Sequence, residues 1–100
     1  MEKKKPHYLL TEIKAAVARM GSEAFTQTAK IGVAKLGLSM SEALATITAL
    51  VSADFYKSMT THTDHTQWQD VYYAACPGNK TAYLKFTLRD GAVVIQFKEK

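Results

Sequence analysis

The last twenty residues constrain the fold most. From Thr81 to Leu88 one alternate set is Ala82, Leu84, Phe86 and Leu88, and the other is Thr81, Tyr83, Lys85 and Thr87. From Ala92 to Lys98 one set is Val93, Ile95 and Phe97, and the other is Ala92, Val94, Gln96 and Lys98. A period of two sends successive side chains to opposite faces of a strand. Asp90-Gly91 lies between the runs, and such a pair readily adopts the positive φ angles of a tight hairpin turn. The two runs predict a hairpin in an antiparallel sheet, with one face on a core and the other on solvent.

Upstream residues must cover the apolar face. Leu10, Ile13, Val17 and Met20 are spaced three, four and three apart, which predicts an amphipathic helix stopped by Gly21. Ala24-Phe25-Thr26 is ambiguous and has the makings of a short strand. A second short helix is expected from about Ala29 to Leu36, ending at Gly37. Ser39-Met40-Ser41-Glu42 has the capping-box pattern, and Leu44, Ile47 and Val51 give the helix it opens an apolar stripe. Phe55–Thr60 and Gln67–Ala74 read as two further strands, with Pro77-Gly78-Asn79 as the turn that follows. The expected fold class is α+β in two layers: N-terminal short helices packed on one face of a C-terminal antiparallel sheet, as a single domain over residues 1–100. Lys3-Lys4-Lys5 reads as a mobile terminus.

Cys76 is the lone cysteine, so it can form neither an internal disulfide nor a zinc site by itself, and a strand-end role is expected. No long apolar stretch follows the N-terminal lysines and none reaches the length of a membrane span, which predicts a cytoplasmic protein. The net charge of +4 permits a polyanionic partner without requiring one. Residues 51–100 hold six Lys and Arg against five acids, so any nucleic-acid site there must come from placement and not from excess charge.

Parity brings chemistry to the polar face. Tyr83 and Lys85 lie opposite Leu84 and Phe86, and Lys98 lies opposite Phe97. If Trp68 and Tyr72 face the core, Gln69 faces out. Lys57 joins them if Tyr56 leans towards the core, although Phe55 shares the parity of Lys57 and also favours burial. A face carrying Lys57, Gln69, Tyr83, Lys85 and Lys98 could cleave RNA with neither metal nor cofactor. The ribose 2′-OH is the nucleophile. The protein has to move protons, stabilise charge on phosphorus and hold the phosphate in place. Clustered lysines repel one another, which draws their pKa values towards neutrality. Exposed Lys and Tyr on a sheet also serve plain solubility.

His62, Asp64 and His65 are too few and too local for a structural zinc site, and a polar turn with Asp and Thr side chains capping backbone groups is expected. His7 reads as part of the lead-in to the first helix, and Ser58 has no evident base partner. There is no phosphate-binding Gly-rich loop and no dinucleotide-binding fingerprint.

Between the predicted helices and the hairpin lies a mixed stretch: Asp54-Phe55-Tyr56-Lys57-Ser58-Met59-Thr60-Thr61, then Asp64-His65-Thr66, then Trp68-Gln69-Asp70-Val71-Tyr72. Cations, amides and flat rings in one segment suit phosphates, base edges and base faces of RNA. This stretch, together with Pro6-His7, Tyr83-Leu84-Lys85 and the closing Phe97-Lys98-Glu99-Lys100, resembles the MqsR (motility quorum-sensing regulator) family of bacterial toxins over nearly the whole length. That family is similar to the RelE group of RNA-cleaving toxins, so the resemblance implies a RelE-like fold. It also implies a type II toxin that cleaves mRNA at short sequence sites and slows translation. The partner it implies is an MqsA-type antitoxin, dimeric, carrying both the zinc and a helix-turn-helix domain. An unpaired edge of the toxin's sheet is a candidate docking place, because such an edge invites strand addition. The family's catalytic positions match Lys57, Gln69, Tyr83 and Lys98. Tyr56 and Met59 are candidate base contacts, and Lys85 is a candidate backbone contact. Two other classes stay open: a non-catalytic nucleic-acid-binding regulator on the same face, and a module that only binds the antitoxin.

Overall fold

A computed structural model describes residues 1–100. The elements in chain order are β1 (Glu2–Lys3), α1 (Leu10–Met20), α2 (Gln27–Lys35), α3 (Met40–Thr48), β2 (Phe55–Thr60), β3 (Trp68–Cys76), β4 (Lys80–Arg89) and β5 (Ala92–Glu99). The strands form one antiparallel sheet in the order β1-β2-β3-β4-β5, and the fold class is α+β as expected. No helix is long and apolar enough to cross a membrane.

The local signals act as their chemistry requires. Gly21 ends α1 at φ 59°, where its N–H still reaches the carbonyl of Val17. Thr26 caps α2 by accepting from the N–H of Ala29 at 3.0 Å. Ser39 and Glu42 form the reciprocal capping box at the start of α3, at 3.1 and 2.9 Å. Asp90 and Gly91 have φ 53° and 78°, the paired positive angles of a type I′ turn, whose twist matches that of the strands it joins.

The helices cover one sheet face. Ile13, Val17, Ala29, Val33, Ala43 and Ile47 meet Tyr72, Ala74, Leu84, Phe86, Ile95 and Phe97 in one buried cluster. Burial of side chains this size contributes about 1.5–3 kcal/mol each relative to exposure. Cys76 ends β3 within that cluster, and burial pushes its thiol pKa up.

Residues 24–26 form no full strand. Ala24 ends a 3-10 turn over Gly21–Ala24, and Phe25 makes a single parallel bridge to Ile95. This segment and α2 run along the outer edge of β5. The N–H of Thr26 donates to the carbonyl of Ile95 at 3.3 Å, and the N–H of Val93 points to the sulfur of Met20 at 3.4 Å. Gly32 approaches so closely that a Cβ there would stand 1.9 Å from the carbonyl oxygen of Phe97. The edge of β5 is therefore covered, which leaves the β1 side as the sheet's open edge.

Lys3 and Lys4 are held against the sheet, contrary to expectation. Glu2 and Lys3 pair with Met59 and Ser58, and the ammonium of Lys3 sits 4.2 Å from the Trp68 ring centroid. The anchor is Asp70, which is fully buried on the helix side of β3. Its carboxylate accepts from the N–H groups of His7 (3.0 Å) and Tyr8 (2.9 Å) and from the Ser58 hydroxyl (2.7 Å). His7 leads into α1, as expected, and also stacks on Trp68 at 5.3 Å.

Candidate functional site

The other face of the sheet is built from cross-strand rows. Lys57 pairs with Val71, Val71 with Lys85, and Lys85 with Gln96. Tyr73 pairs with Tyr83, and Tyr83 with Lys98. Met59 pairs with Gln69. Paired residues share a face, so one surface holds all of them. Val71 is fully buried but lies outside the main core, forming an apolar floor between the two lysines.

Lys57 reaches this face by a different route from the one expected. The ladder slips between Phe55, opposite Tyr72, and Lys57, opposite Val71. This bulge lets Phe55 pack against the core while Lys57 points away from it. Tyr56 does not lean inward. It is exposed and stacks on Tyr73, with centroids 4.8 Å apart and planes 24° from parallel.

Gln69, Tyr83, Lys85 and Lys98 come together in one cleft of about 210 Å³, which is completed by Thr28, Gln96 and Phe97. Lys57 and Met59 border an adjoining groove with Met1, Glu2, His62 and His65. Parity already puts Gln96 on the polar face beside Lys98, but sequence reasoning assigned it no role in the site. Sequence reasoning missed Thr28 and Glu2, which arrive through tertiary contacts that no local pattern reveals. The two histidines flank a polar turn, in which Asp64 accepts from Thr66 N–H at 2.9 Å and Thr61 accepts from Asp64 N–H at 3.0 Å.

The lysines differ in electrostatics. Burial, reinforced by the charges of Lys98 and Lys57, holds the pKa of Lys85 below the ordinary lysine value. Lys57 is paired with Glu2 at 2.5 Å, and that hydrogen bond holds its pKa above the ordinary value. The face thus carries one lysine that yields its proton more readily and one held firmly as a cation. Such a face can bind a phosphodiester, hold it with an amide and exchange protons with it.

A family profile described as "Motility quorum-sensing regulator, toxin of MqsA" matches residues 5–99. The protein named mRNA interferase toxin MqsR from Escherichia coli (strain K12) is 40% identical over 100 residues, spanning the whole of both chains. On these matches, the chain belongs to the motility quorum-sensing regulator (MqsR) family of toxins.

Proposed function

We propose that this chain is a single-domain cytoplasmic endoribonuclease toxin that cleaves mRNA at short sequence sites by attack of a ribose 2′-OH on the adjacent phosphate. The observation that carries the reading is the cleft in which Gln69, Tyr83, Lys85 and Lys98 converge, with Lys57 two row positions from Lys85, across Val71. In the step itself, the 2′-oxygen loses its proton and bonds to phosphorus. The bond from phosphorus to the 5′-oxygen breaks, and that oxygen takes up a proton, leaving a 2′,3′-cyclic phosphate and a 5′-hydroxyl.

Lys57, held cationic by Glu2, stabilises the charge that develops on the phosphate oxygens. Lys98 shares that task and proton transfer with Tyr83, and Gln69 positions the phosphate or ribose. Lys85 contacts the RNA backbone, while Tyr56 and Met59 contact bases. No step in this scheme needs a metal. The cognate partner is an MqsA-type antitoxin that carries the zinc and the helix-turn-helix domain, and it neutralises the toxin.

The test is incubation of EDTA-treated protein with a defined mRNA, followed by mapping of the ends. Cleaved fragments with 2′,3′-cyclic phosphates are expected. Lys98→Ala and Tyr83→Phe should each lower cleavage by about 10²-fold or more with melting unchanged. Intact RNA that shifts on a gel would instead favour the non-catalytic regulator.

A further inference from the structure

The open face carries an aromatic row that continues beyond the cleft. Tyr56, Tyr73 and Tyr83 stand on three adjacent strands, with centroids 4.8 Å apart across the first gap and 5.7 Å across the second. Tyr73 sits in the middle. Its ring takes no part in the helix-side core, whereas its chain neighbour Tyr72 is fully buried there. Tyr56 backs one side of Tyr73 almost in parallel, but Tyr83 is tilted 49° to it. The side of Tyr73 towards the cleft is therefore not closed by a parallel ring.

Cations surround this row. The Lys100 ammonium lies 4.5 Å from the Tyr73 centroid, Lys4 lies 4.9 Å from Tyr56, and Lys98 lies 5.2 Å from Tyr83. Lys100 is held in register, because its N–H donates to the carbonyl of Thr81 at 2.9 Å. Rings alternating with ammonium groups along a solvent-facing sheet match single-stranded RNA, whose bases stack while its phosphates pair with the charges. A row meant only to fill space would need no such charges, and a row meant only for solubility would need no rings.

We infer that Tyr73, backed by Tyr56 and flanked by Lys100, is a stacking subsite for the base of a nucleotide next to the cleaved bond. The inference rests on the endoribonuclease reading and adds a residue and a substrate segment to it. The base lies against the side of Tyr73 that Tyr56 leaves uncovered, displacing the Lys100 ammonium that lies over the ring, and Lys100 then meets the phosphate that follows out of the cleft. A ring already held by a second ring loses little freedom when the base arrives.

The probe is a short single-stranded oligonucleotide with 2′-O-methyl riboses, which lacks the nucleophile, spanning a mapped cleavage site. 2-Aminopurine is placed at each position in turn. Tyr73→Ala is expected to weaken binding about tenfold, and Tyr73→Phe to retain wild-type affinity. Fluorescence quenching at one position beside the cleavage site should be present in the wild type and in Tyr73→Phe, and lost in Tyr73→Ala. Tyr73→Ala should leave the salt dependence of binding unchanged, whereas Lys100→Ala should flatten it by about 0.7 in the log–log slope. Unchanged affinity and quenching in a folded Tyr73→Ala would overturn the inference and leave Tyr73 as a strut between two rings. Failure of the wild type to cleave RNA would instead sink the endoribonuclease reading, and failure of a cleaving wild type to bind this probe would overturn the inference.

Discussion

Tyr72 and Tyr73 are consecutive in β3, yet they belong to different parts of the molecule. Tyr72 is fully buried among Phe55, Phe86 and the helices, and burial, with Asp70 and Asp54 nearby, pushes its hydroxyl pKa up to about 12. Tyr73 lies between two rings on the face that holds the lysines. The same division runs through β4 and β5, where Leu84, Phe86, Ile95 and Phe97 face the helices while Tyr83, Lys85, Gln96 and Lys98 line the cleft. The core and the proposed site thus share strands but face opposite ways, one residue of register apart, with Phe97 alone reaching both.

Three substitutions can break or sharpen that division. The largest effect belongs to the core face. Phe86→Ala removes a fully buried ring and should lower stability by about 3–5 kcal/mol, read as a shift in the urea midpoint. Any cleavage remaining at low temperature should then track the folded fraction alone. A loss of cleavage in fully folded Phe86→Ala would break the comparison.

The next effect sits at the seam between the faces. Gly32→Ala places a methyl group 1.9 Å from the Phe97 carbonyl oxygen, where backbone has to move. Overpacking of this kind costs about 1–3 kcal/mol. Because Thr28 and Phe97 both line the cleft, this variant should lose stability and activity together. Thermal melting and cleavage measured on the same preparation check it.

The smallest effect belongs to the open face. Lys85 has a pKa below its unfolded value of 10.5, chiefly through burial. A lysine shifted down opposes folding fully below its folded-state pKa, and that opposition fades as pH rises through 10.5. Lys85→Met should therefore be slightly more stable than the wild type at pH 7, with the difference shrinking towards pH 10.5. It should also bind RNA less well. Urea midpoints at the two pH values and one binding curve decide it, and an advantage that grows with pH would contradict the assignment.

Legibility in the sequence followed the range of the interactions. The β4–β5 hairpin, the Ser39 capping box and the Gly21 stop depend on residues within a few positions of one another, and all three appear in the structure. The cleft residues Gln69, Tyr83, Lys85 and Lys98 were placed together by parity, because regular strands preserve it. Lys57 was harder to place. A bulge breaks the parity rule, and no single residue in Phe55-Tyr56-Lys57 announces one. The anchored N-terminus was illegible for another reason. It depends on a carboxylate at Asp70 reaching the backbone of His7 and Tyr8 across more than sixty positions of chain. The covering of the β5 edge by Thr26 and Gly32 is of the same kind.

The bulge in β2 also sets how crowded the open face can be. A regular strand presents one side chain to a given face about every 6.8 Å, twice the rise per residue. The extra residue in β2 lets Tyr56 and Lys57, which are adjacent in the chain, both emerge on the same side, with the ammonium of Lys57 5.5 Å from the ring centroid of Tyr56. Deleting Tyr56 would regularise the ladder and still leave Phe55 inward and Lys57 outward. The sheet would close over the gap, but this strand would then offer a cation without a ring beside it. The irregularity is thus a means of doubling side-chain density at one point of an otherwise evenly spaced lattice.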